Sequence, residues 1–392
     1  MEQRRYLEAP ITADLTEKMV FLAGPRQVGK TTLAKQILAA AGTGICLNWD
    51  NREDRREIRA ARWPGGSALV ILDELHKWRT WKNWIKGEFD KHRDHIQFLI
   101  TGSARMDIYR RGGDSLQGRY HHYRLHPFSC AEMTRGRQAG TDIVPGEELP
   151  VPTRGNREMV AALMRFGGFP EPFLKQSART LRRWQKERIE RFFREDVRDL
   201  EYVRDFSSLQ IVADLIPERV GAPLSLNALR EDLEVSHRAV THWVEILKRL
   251  YYVFSVRPYD TKQARMLRKM PKAYMWDSSL VQDVGPRFEN LVALHLLKFC
   301  HYLEDREGHT VQLCYLRDRT GREVDFLVTV NHKPWFAVEA KTSDARVAPP
   351  LSYFRERLRI PWVYQVVLKG TRDFVQDGVR CLPAHRFFDA LI

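Results

Sequence analysis

Cysteine is scarce in this chain of 392 residues, and the five present (Cys46, Cys130, Cys300, Cys314 and Cys381) are scattered, odd in number and never spaced C-x-x-C. That excludes a disulfide framework and a cysteine zinc site. No stretch approaches ~18 uninterrupted apolar residues, so no membrane-spanning helix and no membrane partner are expected. The opening Met1-Glu2-Gln3-Arg4-Arg5 lacks the apolar core of a signal peptide, which makes the expected location cytoplasmic. Internal repeats and low-complexity tracts are absent as well. Acidic residues are the minority sign, 50 Asp and Glu against 64 Lys and Arg, for a net charge of +14. This balance favours a polyanion partner such as DNA, because neutralising phosphates releases counterions. A hydrophobic content of 43% with 10 Trp excludes a disordered chain. A length of this order predicts about two or three domains, each able to bury a core.

What is present begins with Gly24-Pro25-Arg26-Gln27-Val28-Gly29-Lys30-Thr31, a G-x-x-x-x-G-K-[ST] loop followed by Thr32. It lies between an apolar run, Met19 to Ala23, fit for a buried strand, and a helical stretch from Thr31 to Ala41. Backbone N–H groups of such a loop and the positive end of the helix replace the water around a nucleotide's phosphates. In this pattern Lys30 reaches the β/γ-phosphates of ATP and the Thr31 hydroxyl ligates Mg²⁺.

A second buried-strand run, Ala68 to Leu72, ends in Asp73-Glu74. The carboxyl ends of parallel strands face the ligand crevice, so both carboxylates would point toward the phosphates. Asp73 is the candidate Mg²⁺ holder, through water, since Mg²⁺ takes oxygen ligands and sheds its waters reluctantly. Glu74 is the candidate general base that polarises the attacking water. A third run, Ile96 to Ile100, leads into Thr101-Gly102-Ser103, where a hydroxyl either senses the γ-phosphate or N-caps a helix. Beyond it lie Arg105, Arg110, Arg111 and Arg119, any of which could neutralise transition-state charge in a neighbouring subunit.

GPRQVGKTT, LVILDELHK, FLITGSA, SLQGRY with RLHPFS, the later GGFPEPF, and Pro271-Lys272-Ala273-Tyr274 with Asp277 together resemble a known family. It is the bacterial and archaeal AAA-superfamily ATPases that carry a C-terminal winged helix and a PD-(D/E)XK nuclease-like domain. The resemblance spans nearly the whole chain. It implies Ser103 as the sensor and Arg119 of the Gly118-Arg119 pair as the arginine finger. One departure is Asp73-Glu74-Leu75-His76 where many members read DEIQ, which leaves position 76 without an assigned role. No second-sensor arginine motif is found in the helical lid.

The fold class expected is α/β, with a P-loop parallel-sheet core at 1–134 and a linker and helical lid at 135–205. A winged helix at 206–262 and a PD-(D/E)XK-like domain at 263–392 would follow. Residues 135–158, rich in Gly, Pro and Thr without a period, read as an exposed loop. Residues 178–205 read as a helix with Leu181, Trp184, Ile189, Phe192, Phe193, Val197 and Leu200 inward, part of a lid packed on the ATPase core. Ser225 opens a short helix, and Ser236 caps a second that turns Val240, Trp243, Val244, Leu247 and Leu250 inward. His237, Arg238, Thr241, His242 and Glu245 would face a major groove or a protein partner. The basic run Lys262, Arg265, Arg268, Lys269 and Lys272 after the wing at Tyr251 to Val256 favours nucleic acid.

In the last segment Glu323 to Val328, a turn at Asn331 to Pro334, and Trp335 to Lys341 read as a strand hairpin. Asp325, Glu339 and Lys341 form D-x₁₃-E-x-K, similar to the nuclease core, and period-2 geometry puts Glu339 and Lys341 on one face. Asp325 and Glu339 would hold Mg²⁺, with Lys341 positioning the attacking water or stabilising the charged transition state. Glu289 on an amphipathic helix matches the extra acid of resolvase-like members. The expected activity is Mg²⁺-dependent ATP hydrolysis on or with DNA, in a homo-oligomer or with a protein partner. The alternative is an ATP-switched docking or regulatory module with an inactive nuclease-like domain.

Overall fold

The computed structural model describes residues 4–102, 116–140, 142–197, 205–260, 269–343 and 346–392. The chain divides into two compact units, Met1–Pro127 and Phe128–Ile392.

The first unit is a parallel sheet of β1 (Met19–Ala23), β2 (Gly44–Asn48), β3 (Ala68–Asp73), β4 (Ile96–Thr101) and β5 (Tyr120–Arg124). Their order is β2-β3-β4-β1-β5, with every neighbouring pair parallel. β1 is apolar along its whole length and β3 up to Asp73, and both are fully buried because both faces of the sheet are covered. The helix Lys30–Ala41 follows β1 through the loop at 24–29, so its N-terminus stands at the carboxyl ends of the central strands. Phe21 packs between Tyr120, stacked at 4.5 Å, and Trp81, edge-on at 5.5 Å. Trp49 stacks on Trp78 at 4.8 Å, and the Arg59 guanidinium lies 5.4 Å from the Trp49 ring. β2 has no apolar period because it is a half-buried edge strand. Asn51 caps the next helix, Arg52–Ala60, by accepting the Glu53 N–H at 2.8 Å.

The second unit is built on one sheet ordered β12-β13-β11-β10-β9-β8-β6-β7. Its strands are β6 (Val253–Pro258), β7 (Lys272–Met275), β8 (Val311–Arg317), β9 (Glu323–Val330), β10 (Lys333–Lys341), β11 (Trp362–Val367), β12 (Phe374–Gln376) and β13 (Val379–Pro383). The long helix Val284–Glu307 precedes β8, and the helix Pro349–Leu358 joins β10 to the parallel β11. β9 and β10 form the expected hairpin, turning at Asn331 (φ +49°) and His332 (φ +65°), the backbone of a type I′ turn. The long helix is tied to the helix Cys130–Arg135 by a buried ion pair, Lys298 Nζ to Glu132 Oε2 at 2.5 Å. Among the described residues no helix is long and apolar enough to cross a membrane.

Three boundaries differ from the sequence reading. β6, which covers most of the wing expected at Tyr251 to Val256 in a separate domain ending at 262, pairs with β7 and adds to the same sheet as the C-terminal strands through β8. Residues 135–158 do not run free: Trp335 Nε1 donates to Glu147 O at 2.7 Å, and the Leu149 N–H donates to the Tyr364 hydroxyl at 3.3 Å. Gly, Pro and Thr content signalled the lack of a period but not the backbone groups that fasten the segment. The helices Arg157–Phe166, Pro170–Lys175 and Ala178–Arg191, expected to cover the ATPase core, belong to the second unit. Gln185 bonds Ser279 Oγ at 2.9 Å, and Arg188 lies 3.4 Å from the buried Asp277 and 4.0 Å from the Phe169 ring. A Cβ on Gly167 would meet Asp277 Oδ1 at 2.9 Å, so GGFPEPF and Asp277 form one structural joint.

Candidate functional site

The loop after β1 owes its shape to residues that tolerate positive φ: Gly24 (+149°), Gln27 (+62°) and Gly29 (+99°). A Cβ at Gly24 would sit 2.5 Å from Leu125 O, so only glycine fits there. Lys30, 7% exposed, folds its ammonium onto Gly24 O at 3.0 Å and Pro25 O at 2.9 Å, inside the cradle where phosphate oxygens would enter. Arg26 is half-buried, Val28 buried, and Gln27 and Thr32 exposed. The sequence reading missed Arg5, whose buried guanidinium donates to Val28 O at 2.8 Å and His126 O at 2.6 Å, bracing the loop from beneath. An arginine before the first helix carries no motif that would have found it.

The first turn of the helix Lys30–Ala41 and the ends of β4 and β2 converge on one carboxylate at the end of β3. Thr31 Oγ1 donates to Asp73 Oδ2 at 2.9 Å, and Thr101 Oγ1 donates to Asp73 Oδ1. Asn48, at the end of β2, reaches Oδ2 at 3.4 Å and was also missed. These are hard oxygen donors at the mouth of a phosphate loop, a set that suits Mg²⁺. Glu74 follows at φ +57°, held by its N–H to Thr101 O at 3.0 Å. A non-glycine residue kept in this region beside a site is strain that the surroundings must hold. Its carboxylate lies 3.4 Å from Lys77 Nζ and 3.8 Å from Nε2 of the buried His76. His76, left without a role by the sequence, thus lies against Glu74. Burial works against the Lys77 charge, but Asp50 and Glu74 hold its ammonium above the ordinary value.

Ser103, Arg105, Arg110 and Arg111 lie outside the described residues. Arg119 precedes β5, where Tyr120 pairs with Met19, so it stands at the opposite end of the strands from the phosphate loop. Its guanidinium grips Asp90 at 2.7 and 3.1 Å. Arg119 therefore cannot serve the phosphate loop of its own chain.

In the second unit the hairpin and the long helix bring Glu289, Asp325, Glu339 and Lys341 together. The Asp325 N–H donates to Glu339 Oε2 at 3.3 Å, Asp325 Oδ2 accepts the Ala340 N–H at 2.9 Å, and Lys341 Nζ donates to Glu339 Oε1 at 2.7 Å. Lys272, read from sequence as part of an outward basic run, is instead 1% exposed and inserted among the acids. Its ammonium lies 2.7 Å from Glu323, 3.3 Å from Glu289 and 3.7 Å from Asp325. The reason is local: β7 turns Lys272 inward between Tyr315 and the carboxylates. Burial, then the Asp325 charge, pushes both Glu289 and Glu339 up to about 7, against the pull of Lys272 and Lys341 respectively. Burial opposes the Lys272 charge, yet Glu289, Asp325 and Glu323 raise it above the ordinary lysine value. Of the remaining basic run, Lys269 pairs with Asp260 at 3.2 Å, and Lys262, Arg265 and Arg268 lie outside the described residues.

Ser225 and Ser236 cap their helices as expected, accepting from Ala228 N and Ala239 N at 3.2 Å. Val240, Trp243, Val244 and Leu247 are buried, while Leu250 is half-buried. His237, Arg238, His242 and Glu245 are exposed, and Thr241, half-buried, returns its hydroxyl to His237 O. A separate groove of about 1310 Å³ is lined by Lys269, Arg317, Arg319 and Arg357 with Tyr259 and Tyr353.

The strand order, the glycine loop and the Thr31–Asp73 contact define a P-loop nucleotide-binding unit. A sequence profile described as an AAA domain matches residues 16–134, so the chain carries an AAA-type P-loop ATPase domain. Two profiles described as domains of unknown function match residues 157–289 and 284–387. An uncharacterized protein of Methanocaldococcus jannaschii, MJ1544, is 22% identical over 339 residues, 81% of this chain and 74% of that protein. Uncharacterized protein Rv2008c of Mycobacterium tuberculosis is 22% identical over 265 residues, 67% of this chain. The chain spans about 55% of that mycobacterial relative's length. Among solved structures, a variant of Thermotoga maritima RuvB overlaps 63% of this chain and 86% of its own, at 15% identity and a TM-score of 0.30. An overlap that low carries no argument about this protein.

Proposed function

We propose that the chain is a Mg²⁺-dependent ATP hydrolase that works on or with DNA through its second unit. The observation that carries the ATPase reading is the meeting of Thr31, Thr101 and Asp73 beside the Lys30 cradle. In this reading ATP phosphates displace the two loop carbonyls from Lys30, and the loop N–H groups bind the oxygens between them. Thr31 and Asp73 would hold Mg²⁺, which supplies charge neutralisation at the β- and γ-oxygens. Glu74 accepts a proton from the attacking water, and Lys77 and His76 keep its carboxylate oriented. Arg119 would act in trans, in a homo-oligomer, because its own phosphate loop is out of reach.

The DNA part rests on charge and shape. The exposed His237, Arg238 and His242 sit on one helix face after a capped turn, followed by a strand hairpin, the plan of a winged helix. Glu245 on that face would repel phosphate; the groove, where Lys269, Arg317, Arg319 and Arg357 outnumber Asp260 and Asp318 beside Tyr259 and Tyr353, is the second candidate surface. The element series of long helix, three antiparallel strands, helix and parallel strand is also that of a PD-(D/E)XK core.

The test measures ATP binding and turnover with and without duplex, branched and single-stranded DNA at ~50 mM salt. Lys30→Ala should lose tight ATP binding, while Glu74→Gln should keep it and lose turnover by ~10²-fold. Wild-type turnover in Glu74→Gln would remove that residue from the mechanism. DNA affinity should fall steeply with salt and weaken in an Arg319→Glu, Arg357→Glu double variant. Salt-insensitive or absent binding would favour a protein-docking role.

A further inference from the structure

A nuclease site of the PD-(D/E)XK plan holds a divalent cation between its acids, and the acids of this chain do not leave that place open. We propose that Lys272 is a built-in replacement for the cation, so that the second unit engages its partner without metal-dependent cutting. The inference rests on the nuclease-like reading of the second unit and is independent of the ATPase reading.

The geometry is specific. Glu289, Glu323 and Asp325 all face one ammonium, at 3.3, 2.7 and 3.7 Å. Tyr274 donates its hydroxyl to Glu289 Oε1 at 2.7 Å, the same oxygen that faces Lys272. On the other side of Glu289, a Cβ at Gly221 would stand 2.7 Å from Oε2, so backbone closes the space a hydrated ion would need. Asp325 spends Oδ2 on the Ala340 N–H, and Glu339 spends one oxygen on Lys341 and the other on the Asp325 N–H. Among the described residues, no group of three or more His, Cys, Asp or Glu is arranged to hold a metal ion. Mg²⁺ demands close, near-octahedral oxygens and keeps several waters, a demand this cluster does not meet.

Lys272 is no surface side chain swung in by chance. It lies on β7, hydrogen-bonded to β6 and bridged to Pro223, and it is 1% exposed. By contrast the Asp325 and Glu289 side chains keep 16% and 20% exposure, so the acids meet solvent while the ammonium fills their inner side. Removing the charge from such a cluster leaves carboxylates crowded without a counter-ion, and a divalent cation then becomes the group that relieves them.

The experiment counts Mn²⁺ bound by the full chain, without nucleotide, from the paramagnetic resonance signal of free Mn²⁺. Wild type, Asp325→Asn, Lys272→Gln, Lys272→Met and Lys272→Gln/Asp325→Asn are compared, with thermal unfolding as the folding control. Wild type and Asp325→Asn should bind alike. Lys272→Gln or Lys272→Met should bind an additional ion at least ~10-fold more tightly than wild type does, and Asp325→Asn should abolish that gain. Wild-type Mn²⁺ binding that Asp325→Asn removes would overturn the inference while leaving the nuclease-like reading intact. Folded Lys272 variants that gain no ion would sink both. If neither lysine variant folds, the wild-type and Asp325→Asn pair alone decides.

Discussion

Arg5 offers the sharpest test of how the first unit shapes its nucleotide site. Its buried guanidinium bridges Val28 O, inside the phosphate loop, and His126 O, just past β5. Arg5→Ala removes both charge-assisted hydrogen bonds and leaves two buried carbonyls short of a donor. Each such loss costs ~1–3 kcal/mol, so the loop's present shape should weaken by ~2–6 kcal/mol. Binding ATP must then restore that shape, which lowers apparent affinity by ~30- to 20,000-fold at ~1.4 kcal/mol per decade. Arg5→Lys keeps the charge but can reach only one carbonyl well, so it should fall between the two. The assay is titration with a fluorescent ATP analogue, alongside circular dichroism to confirm that the unit is folded. ATP affinity of folded Arg5→Ala within ~3-fold of wild type would refute the reasoning, because the loop would then hold itself.

His295 is buried neutral, its Nε2 accepting the Cys130 N–H at 3.2 Å and its ring stacked on Phe388 at 4.0 Å, and burial pushes it down to about 3. Its unfolded value is ~6.5, so between the two the unfolded chain binds the extra proton; stability is complete above ~6.5 and falls as pH drops toward ~3, by ~2 kcal/mol at pH ~5. Urea unfolding at pH ~7.5 and ~5 should show this loss in wild type and less of it in His295→Gln, and equal losses in the two would dismiss the assignment. For Arg119, turnover per subunit should rise with protein concentration, and mixing Arg119→Ala with Lys30→Ala should restore part of the activity lost in each. A concentration-independent rate with Arg119→Ala unaffected would show that Arg119 serves only Asp90.

The phosphate loop, Asp73 and the strands that carry them were legible in the sequence because their chemistry is local. Gly24 and Gly29 answer backbone demands within a few residues, and a fully apolar strand ending in a carboxylate announces both burial and site. The hairpin of β9 and β10 was legible for the same reason, since period 2 and a two-residue turn are short-range facts. Arg5 and Asn48 were not, because one reaches Val28 and the other Asp73 from remote strands or loops with no pattern around them. Lys272 was misread in direction: a lysine near other cations looks like surface, and only the pairing of β7 with β6 turned it into the acids. The position of β6 beside β8, which merges the expected wing with the C-terminal sheet, is likewise a long-range pairing. Sequence determined which residues could do chemistry and where the short elements run. Tertiary structure decided which charges meet, because a carboxylate's partner is set by chain crossings that no local period encodes.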